Sequence, residues 1–148
     1  MDEITIDLVV KTDPKISPVL QDKVVKRLYS LGYNVTKKDI WSLSFAIEKV
    51  HQYILNFCDI LELPTELFYT ATERIVGEFL FDKMVRGELD EDFGVRFGEA
   101  AKEIEIGDAR AVYYSDPNKV RYESMMIFID NLRKFGEDDL LCFRTMSW

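Results

Sequence analysis

Apolar positions recur at helical spacing over most of the chain. Leu20, Val24, Leu28 and Leu31 share one face of a helix predicted from Pro18 to Leu31. Ser17 is placed to cap it, Pro18 suits its first turn, and Gly32 follows its end. The second pattern is the most regular. Ile40, Leu43, Ile47, Val50, Ile54 and Phe57 alternate steps of three and four, as in a helix packed closely against neighbouring helices. Thr36 and Asp39 precede it at capping-box separation, with Asp in place of the usual Glu or Gln. Trp41, Phe45 and Leu55 fall off this stripe and predict a second apolar surface, either buried on another side or used between subunits. A third helix is expected from Pro64 or Thr65 to Gly87. Leu67, Phe68, Ala71, Ile75, Phe79, Leu80 and Met84 form its apolar face, and Glu66, Glu73, Asp82 and Arg86 its wet one. The connection between the second and third helices is short, which makes them antiparallel neighbours.

Elsewhere the pattern changes. Ile4, Ile6 and Leu8 alternate with Thr5 and Asp7, as in a weak strand or an extended segment. After Gly87 comes an acidic run, Glu88 to Asp92, and then a stretch punctuated by Gly94 and Gly98. Lys102–Ile106 and Ala109–Tyr114 alternate on either side of Gly107-Asp108, a pattern that predicts a β-hairpin. A fourth helix opens at Asp116 and Pro117 and ends before Gly136, with Met125, Phe128, Ile129, Leu132 and Phe135 as its buried stripe. The chain then runs through Glu137-Asp138-Asp139 to an apolar ending closed by Trp148, where termini are ordinarily polar. The expected fold class is mainly α: a small bundle of about four helices with a short β-hairpin and an extended C-terminal arm. Residues 1–15 form an N-terminal extended segment, 16–136 the helical domain with its hairpin near 102–114, and 137–148 the arm.

Composition narrows the function. A chain of 148 residues with 47% hydrophobic and 13% aromatic content can build one core without disulfide or metal. The balance of 27 acidic against 19 basic residues gives −8, which argues against a basic face that wraps nucleic acid. One His (His51) and two Cys (Cys58, Cys142) remove most metal sites, His-based catalysis and any disulfide framework. Cys58 lies in an apolar helical pattern and reads as a reduced core thiol. No apolar run is long enough to cross a membrane, and Met1-Asp2-Glu3 lacks a basic leader, so a soluble cytoplasmic product is expected. In that setting Asn34-Val35-Thr36 is a chance match to a glycosylation acceptor.

Several short strings imitate catalytic motifs. Glu48 and His51 match one half-motif of a di-iron bundle, which needs two such pairs and further carboxylates. Asp92-Phe93-Gly94 lacks the other elements of a kinase, and Asp90, Asp92 and Gly94 miss the offsets of a calcium loop. The expectation is a non-enzymatic protein with no cofactor and no metal.

Three stretches, in this order, carry a resemblance. The first is Ile54-Leu55-Asn56-Phe57-Cys58, then Leu63-Pro64-Thr65-Glu66-Leu67, leading into Ile75-Val76-Gly77-Glu78-Phe79-Leu80. The second is Lys102 to Val112 with Gly107-Asp108 at its turn, and the third is Gly136 to Leu141 with the ending at Trp148. Together they make roughly the last 110 residues resemble the head–tail connector (adaptor, or head-completion) proteins of tailed phages and prophages of Gram-positive bacteria. The chain departs from that pattern in carrying only Arg144 where the family ending has paired basic residues, and residues 1–35 match nothing in it.

The resemblance implies a virion structural protein of the phage neck, made in the host cytoplasm. About twelve copies would form a ring under the portal protein, extend the DNA channel and offer a docking surface to a stopper or tail-completion protein. An arm with Leu140, Leu141, Phe143, Arg144, Met146 and Trp148 would grip the portal, as apolar and Arg anchors grip a partner. Trp41, Phe45, Tyr113 and Tyr114 are candidate subunit contacts. Residues 88–148 hold 14 acids and 8 bases against 13 and 11 before them, so the acidic surplus lies in the second part. Asp90, Glu91 and Asp92 are candidate channel-facing acids, beside which DNA would pass without specific binding. The alternative from charge alone is an acidic DNA mimic that occupies the basic cleft of a nuclease or regulator.

Overall fold

A computed structural model describes residues 16–89 and 117–146, with side chains for 16–89 and 123–143. Among the described residues there are five α-helices: α1 Pro18–Ser30, α2 Ile40–Cys58, α3 Phe68–Val85, α4 Pro117–Arg133 and α5 Glu137–Met146. Single 3-10 turns, Lys37–Asp39 and Thr65–Leu67, lead into α2 and α3.

The local signals act as their chemistry requires. The Ser17 hydroxyl accepts from the Val19 N–H at 3.2 Å and Pro18 opens α1. Gly32, at φ 91°, ends α1, with the Tyr33 N–H turned back to the Leu28 carbonyl at 2.9 Å. Before α2 the Thr36 N–H donates to Asp39 Oδ2 at 3.0 Å, and the Thr36 hydroxyl donates to the same oxygen at 3.2 Å.

Helix α3 is the hub. It packs against α1, α2 and α4, while α5 packs on α2. Side-chain pairs fix the direction of α2 and α3: Ser42 meets Arg86, Lys49 meets Glu78, and Tyr53 lies under Arg74, so the two helices run antiparallel. Its central place explains why Thr70 to Gly77 are buried without a break. At Gly77 a β-carbon would stand 2.8 Å from the Arg133 nitrogen and 2.8 Å from Leu132 Cβ, so α3 and the end of α4 touch nearly backbone to backbone.

The structure corrects four expectations. No strand occurs among the described residues, so the helical bundle with a hairpin is replaced by an all-helical arrangement there; the hairpin near 102–114 lies outside them. A two-stranded ribbon is marginal in water without further strands to join, and no described element offers one. The extended arm is instead helix α5. The left-handed Gly136 (φ 69°) turns the chain, the Leu140 N–H closes onto the Gly136 carbonyl at 3.0 Å, and Glu137, Asp138 and Asp139 sit at the favourable N-terminal end of the helix dipole. Glu73, assigned to the wet face of α3, is buried because α3 has no fully wet face. Of the two readings of Trp41, Phe45 and Leu55, burial on a second side fails for Trp41 and Phe45, which stand in solvent, while Leu55 is half-buried.

Candidate functional site

Three charged residues of α3, Glu73, Arg74 and Lys83, are buried. Lys83 Nζ lies 2.7 Å from Asp39 Oδ1 and 2.8 Å from Glu88 Oε2. Burial works against the charge on Asp39, but hydrogen bonds from Lys83, the Thr36 N–H and the Tyr33 hydroxyl outweigh it and hold its pKa below the usual carboxylate value. Burial likewise opposes the Lys83 charge, and its hydrogen bonds to Asp39 and Glu88 carry its pKa above that of an ordinary lysine. A carboxylate filled by donors and an ammonium held by two carboxylates are poor proton carriers at neutral pH. This cluster ties the start of α2 to the end of α3.

The other buried charges are also ties. Arg27 Nε on α1 lies 2.8 Å from Glu73 Oε1. Arg74 Nε donates to the Phe135 carbonyl at 2.7 Å, capping the chain beyond α4, and its guanidinium lies over the Tyr53 ring. Glu78 receives Arg133 at 3.0 Å and Lys49 at 3.3 Å. His51 is buried on the inner side of α2, and among the described residues no three His, Cys, Asp or Glu side chains could hold a metal ion together.

The surface is more informative. Trp41 and Phe45, one turn apart on α2, are 80% and 68% exposed, directly opposite the buried Ile40–Leu43–Ile47–Val50–Ile54 stripe. Among the described residues neither ring stacks on another, whereas Tyr53 on the same helix is already packed against Phe57 at 5.9 Å. Aromatic side chains lose much by standing in water, so this exposed adjacent pair is a candidate contact surface.

The candidate portal residues divide between core and surface. Leu140 is 1% exposed, the Cys58 thiol donates to its carbonyl at 3.7 Å, and Phe143 packs half-buried against the core. Leu141 points outward at 46% exposure. The side chains of Arg144 and Met146, and all of Trp148, lie outside the described residues, as do Tyr113, Tyr114, Asp90, Glu91 and Asp92. Sequence reading missed the outer face of α4, where Met126 and Ile127 are exposed at 41% and 57% beside the exposed Glu123 and Asp130. The signal was available: both residues fall off the Met125–Ile129–Leu132 stripe, as Trp41 and Phe45 fall off theirs.

Compared with known proteins, the chain matches no family model, no curated protein and no solved structure.

Proposed function

We propose that this chain is a structural protein of a phage neck, a head–tail connector that sits under the portal and joins head to tail. The observation that carries the reading is the order of the three resembling stretches, ending in an apolar C-terminal segment. The outward aromatic pair on α2 and the outward Leu141 support it, since a connector needs separate surfaces for its neighbours and for the portal.

The helical character of 137–146 sharpens the portal contact. Leu140 serves the chain's own core, so truncation at residue 140 would damage the fold along with any docking surface. The docking side is Leu141 with the residues that follow Phe143. Removing residues 144–148, or the exchange Leu141→Asp, therefore abolishes co-sedimentation with portal rings while leaving the melting temperature of the free chain within a degree or two. Unchanged portal binding in both variants would remove the arm from the contact. Electron microscopy of particles containing the labelled protein tests the function itself. Density at the portal vertex supports the neck, and absence from purified particles overturns it. Salt-sensitive capture of a basic nuclease by an isolated monomer would point to the DNA-mimic reading instead.

A further inference from the structure

We infer that copies of this chain join head to tail through two different faces, the outer face of α2 in one copy against the outer face of α4 in the next. The inference rests on the ring assembly proposed above and names its subunit contact. On α2, Trp41 and Phe45 stand in solvent with the exposed Lys38 one turn before them. On α4, Met126 and Ile127 stand in solvent with the exposed Glu123 one turn before Ile127. Among the described residues neither Lys38 nor Glu123 has an ion-pair partner. The two faces thus offer matching apolar patches with opposite spare charges, in a chain whose total charge is strongly negative.

The charges decide between the possible pairings. Two α2 faces meeting about a two-fold axis would bring Lys38 and its equivalent onto the same small contact; two α4 faces would do the same with Glu123, while Lys49 and Asp130 are already neutralised by Glu78 and Lys134. Like charges on one buried contact oppose it, whereas the α2–α4 pairing sets Lys38 against Glu123. Both helices pack on α3, each with its outer face directed away from it, so one copy can engage a neighbour on each side at once. Such a heterologous contact propagates and closes into a ring when the rotation between copies allows. The aromatic pair supplies the anchor, and Met126 is an adaptable surface for it to meet.

The test uses sedimentation velocity of the full chain from about 1 μM to about 1 mM. Wild type gains mass with concentration, less so in high salt. Phe45→Glu and Ile127→Lys each weaken association by tenfold or more. Because each variant keeps one working face, an equal mixture of the two forms one-to-one dimers and stops there. Lys38→Glu alone weakens assembly, and adding Glu123→Lys in the same chain restores it, which answers any concern that a single variant is misfolded. A monomer at the highest concentration overturns the inference, as does an Ile127→Lys variant that still associates like wild type, or a mixture that stays monomeric. Those outcomes leave localisation at the portal vertex untouched. Conversely, assembly through these faces by a protein absent from the vertex refutes the neck and keeps the contact.

Discussion

Replacing Gly77 by Ala sets two opposed effects against each other at one site. In an open helix the change stabilises, by about 1 kcal/mol, because Gly carries the greater backbone entropy in the unfolded chain. Here the added β-carbon meets the Arg133 nitrogen at 2.8 Å, Leu132 Cβ at 2.8 Å and the Leu132 carbonyl carbon at 3.0 Å. Comfortable carbon contacts begin near about 3.5 Å, so the end of α4 must retreat by roughly half an ångström or more. It is poorly placed to do so. Arg133 is held by Glu78 at 3.0 Å and lies 3.9 Å over the Phe81 ring, and the Phe135 carbonyl just beyond is held by Arg74. Overpacking of this kind costs about 1–3 kcal/mol, and with three backbone-borne atoms in the way the upper part of that range applies. The expected net effect is a loss of about 1–2 kcal/mol, or a melting temperature lower by roughly 3–6 °C. Urea unfolding followed by circular dichroism measures it. Gly87→Ala is the comparison, since nothing stands within 4 Å there but φ is +67°, so its cost comes from backbone strain alone. A Gly77→Ala protein as stable as wild type, or more so, would refute the close α3–α4 crossing.

Other consequences follow from the buried contacts. Lys83→Met leaves Asp39 buried without its cation and should cost about 3–5 kcal/mol, while Lys83→Met with Asp39→Asn costs clearly less; denaturant midpoints read the difference. Because the folded pKa of Asp39 lies below its unfolded value, its contribution is present above about pH 4 and is lost as pH falls through the folded pKa. The Lys83 contribution, from a raised pKa, is lost only above its unfolded value near 10.5. Asp39→Asn should therefore flatten the acid limb of the stability curve and leave the neutral region flat. Arg74→Met removes the charged donor from the Phe135 carbonyl and should cost about 1.5–3 kcal/mol, with earlier hydrogen exchange at the end of α4. Leu140→Ala should lose about 2–5 kcal/mol and Leu141→Ala less than about 0.5 kcal/mol, a contrast that thermal melts settle and that an extended arm would not give.

The helices were legible because their signals are local. Ser17 and Pro18, Thr36 with Asp39, Pro117, and the left-handed Gly32 and Gly136 mark starts or stops of helices, whereas the left-handed Asp59 that ends α2 gave no such signal. Of the 3-4-3-4-3 stripe of α2 all but the half-buried Phe57 are buried, while the buried face is wider than the stripe and also takes in Ser44, Ala46, His51 and Cys58. What failed depends on position in the bundle. A single apolar stripe assumes one wet side, and α3, enclosed by three helices, loses it from Thr70 to Gly77, so Glu73 was misplaced. The clue was Gly77, a residue costly inside a helix unless another backbone passes beside it. Residues 137–148 misled for a related reason. An apolar ending reads as sticky when its own core is out of view, and it took the depth of Leu140 to divide core from surface. Of the candidate contacts, the separation of Trp41 and Phe45 from the buried stripe was visible in the sequence. The α4 face was visible in the same way, in Met126 and Ile127, but a pairing of the two faces was not, because it requires knowing that both turn away from α3.

The charges on α3 bear on assembly as well as on stability. Glu73 reaches α1 through Arg27, Glu78 reaches α4 through Arg133, Lys83 reaches the start of α2 through Asp39, and Arg74 closes on the Phe135 carbonyl. Apolar contacts alone would tolerate a neighbour sliding by a turn, since one aliphatic surface repacks against another at modest cost. A slide of any helix past α3 here would strand a buried charge, at several kcal/mol each. Since the ties go to different helices, no single motion relieves them together. The angle between the outer faces of α2 and α4 is therefore fixed by buried polar contacts. A head-to-tail assembly needs that rigidity, because a small error in the angle between its two faces, repeated around a ring, decides whether the last copy meets the first.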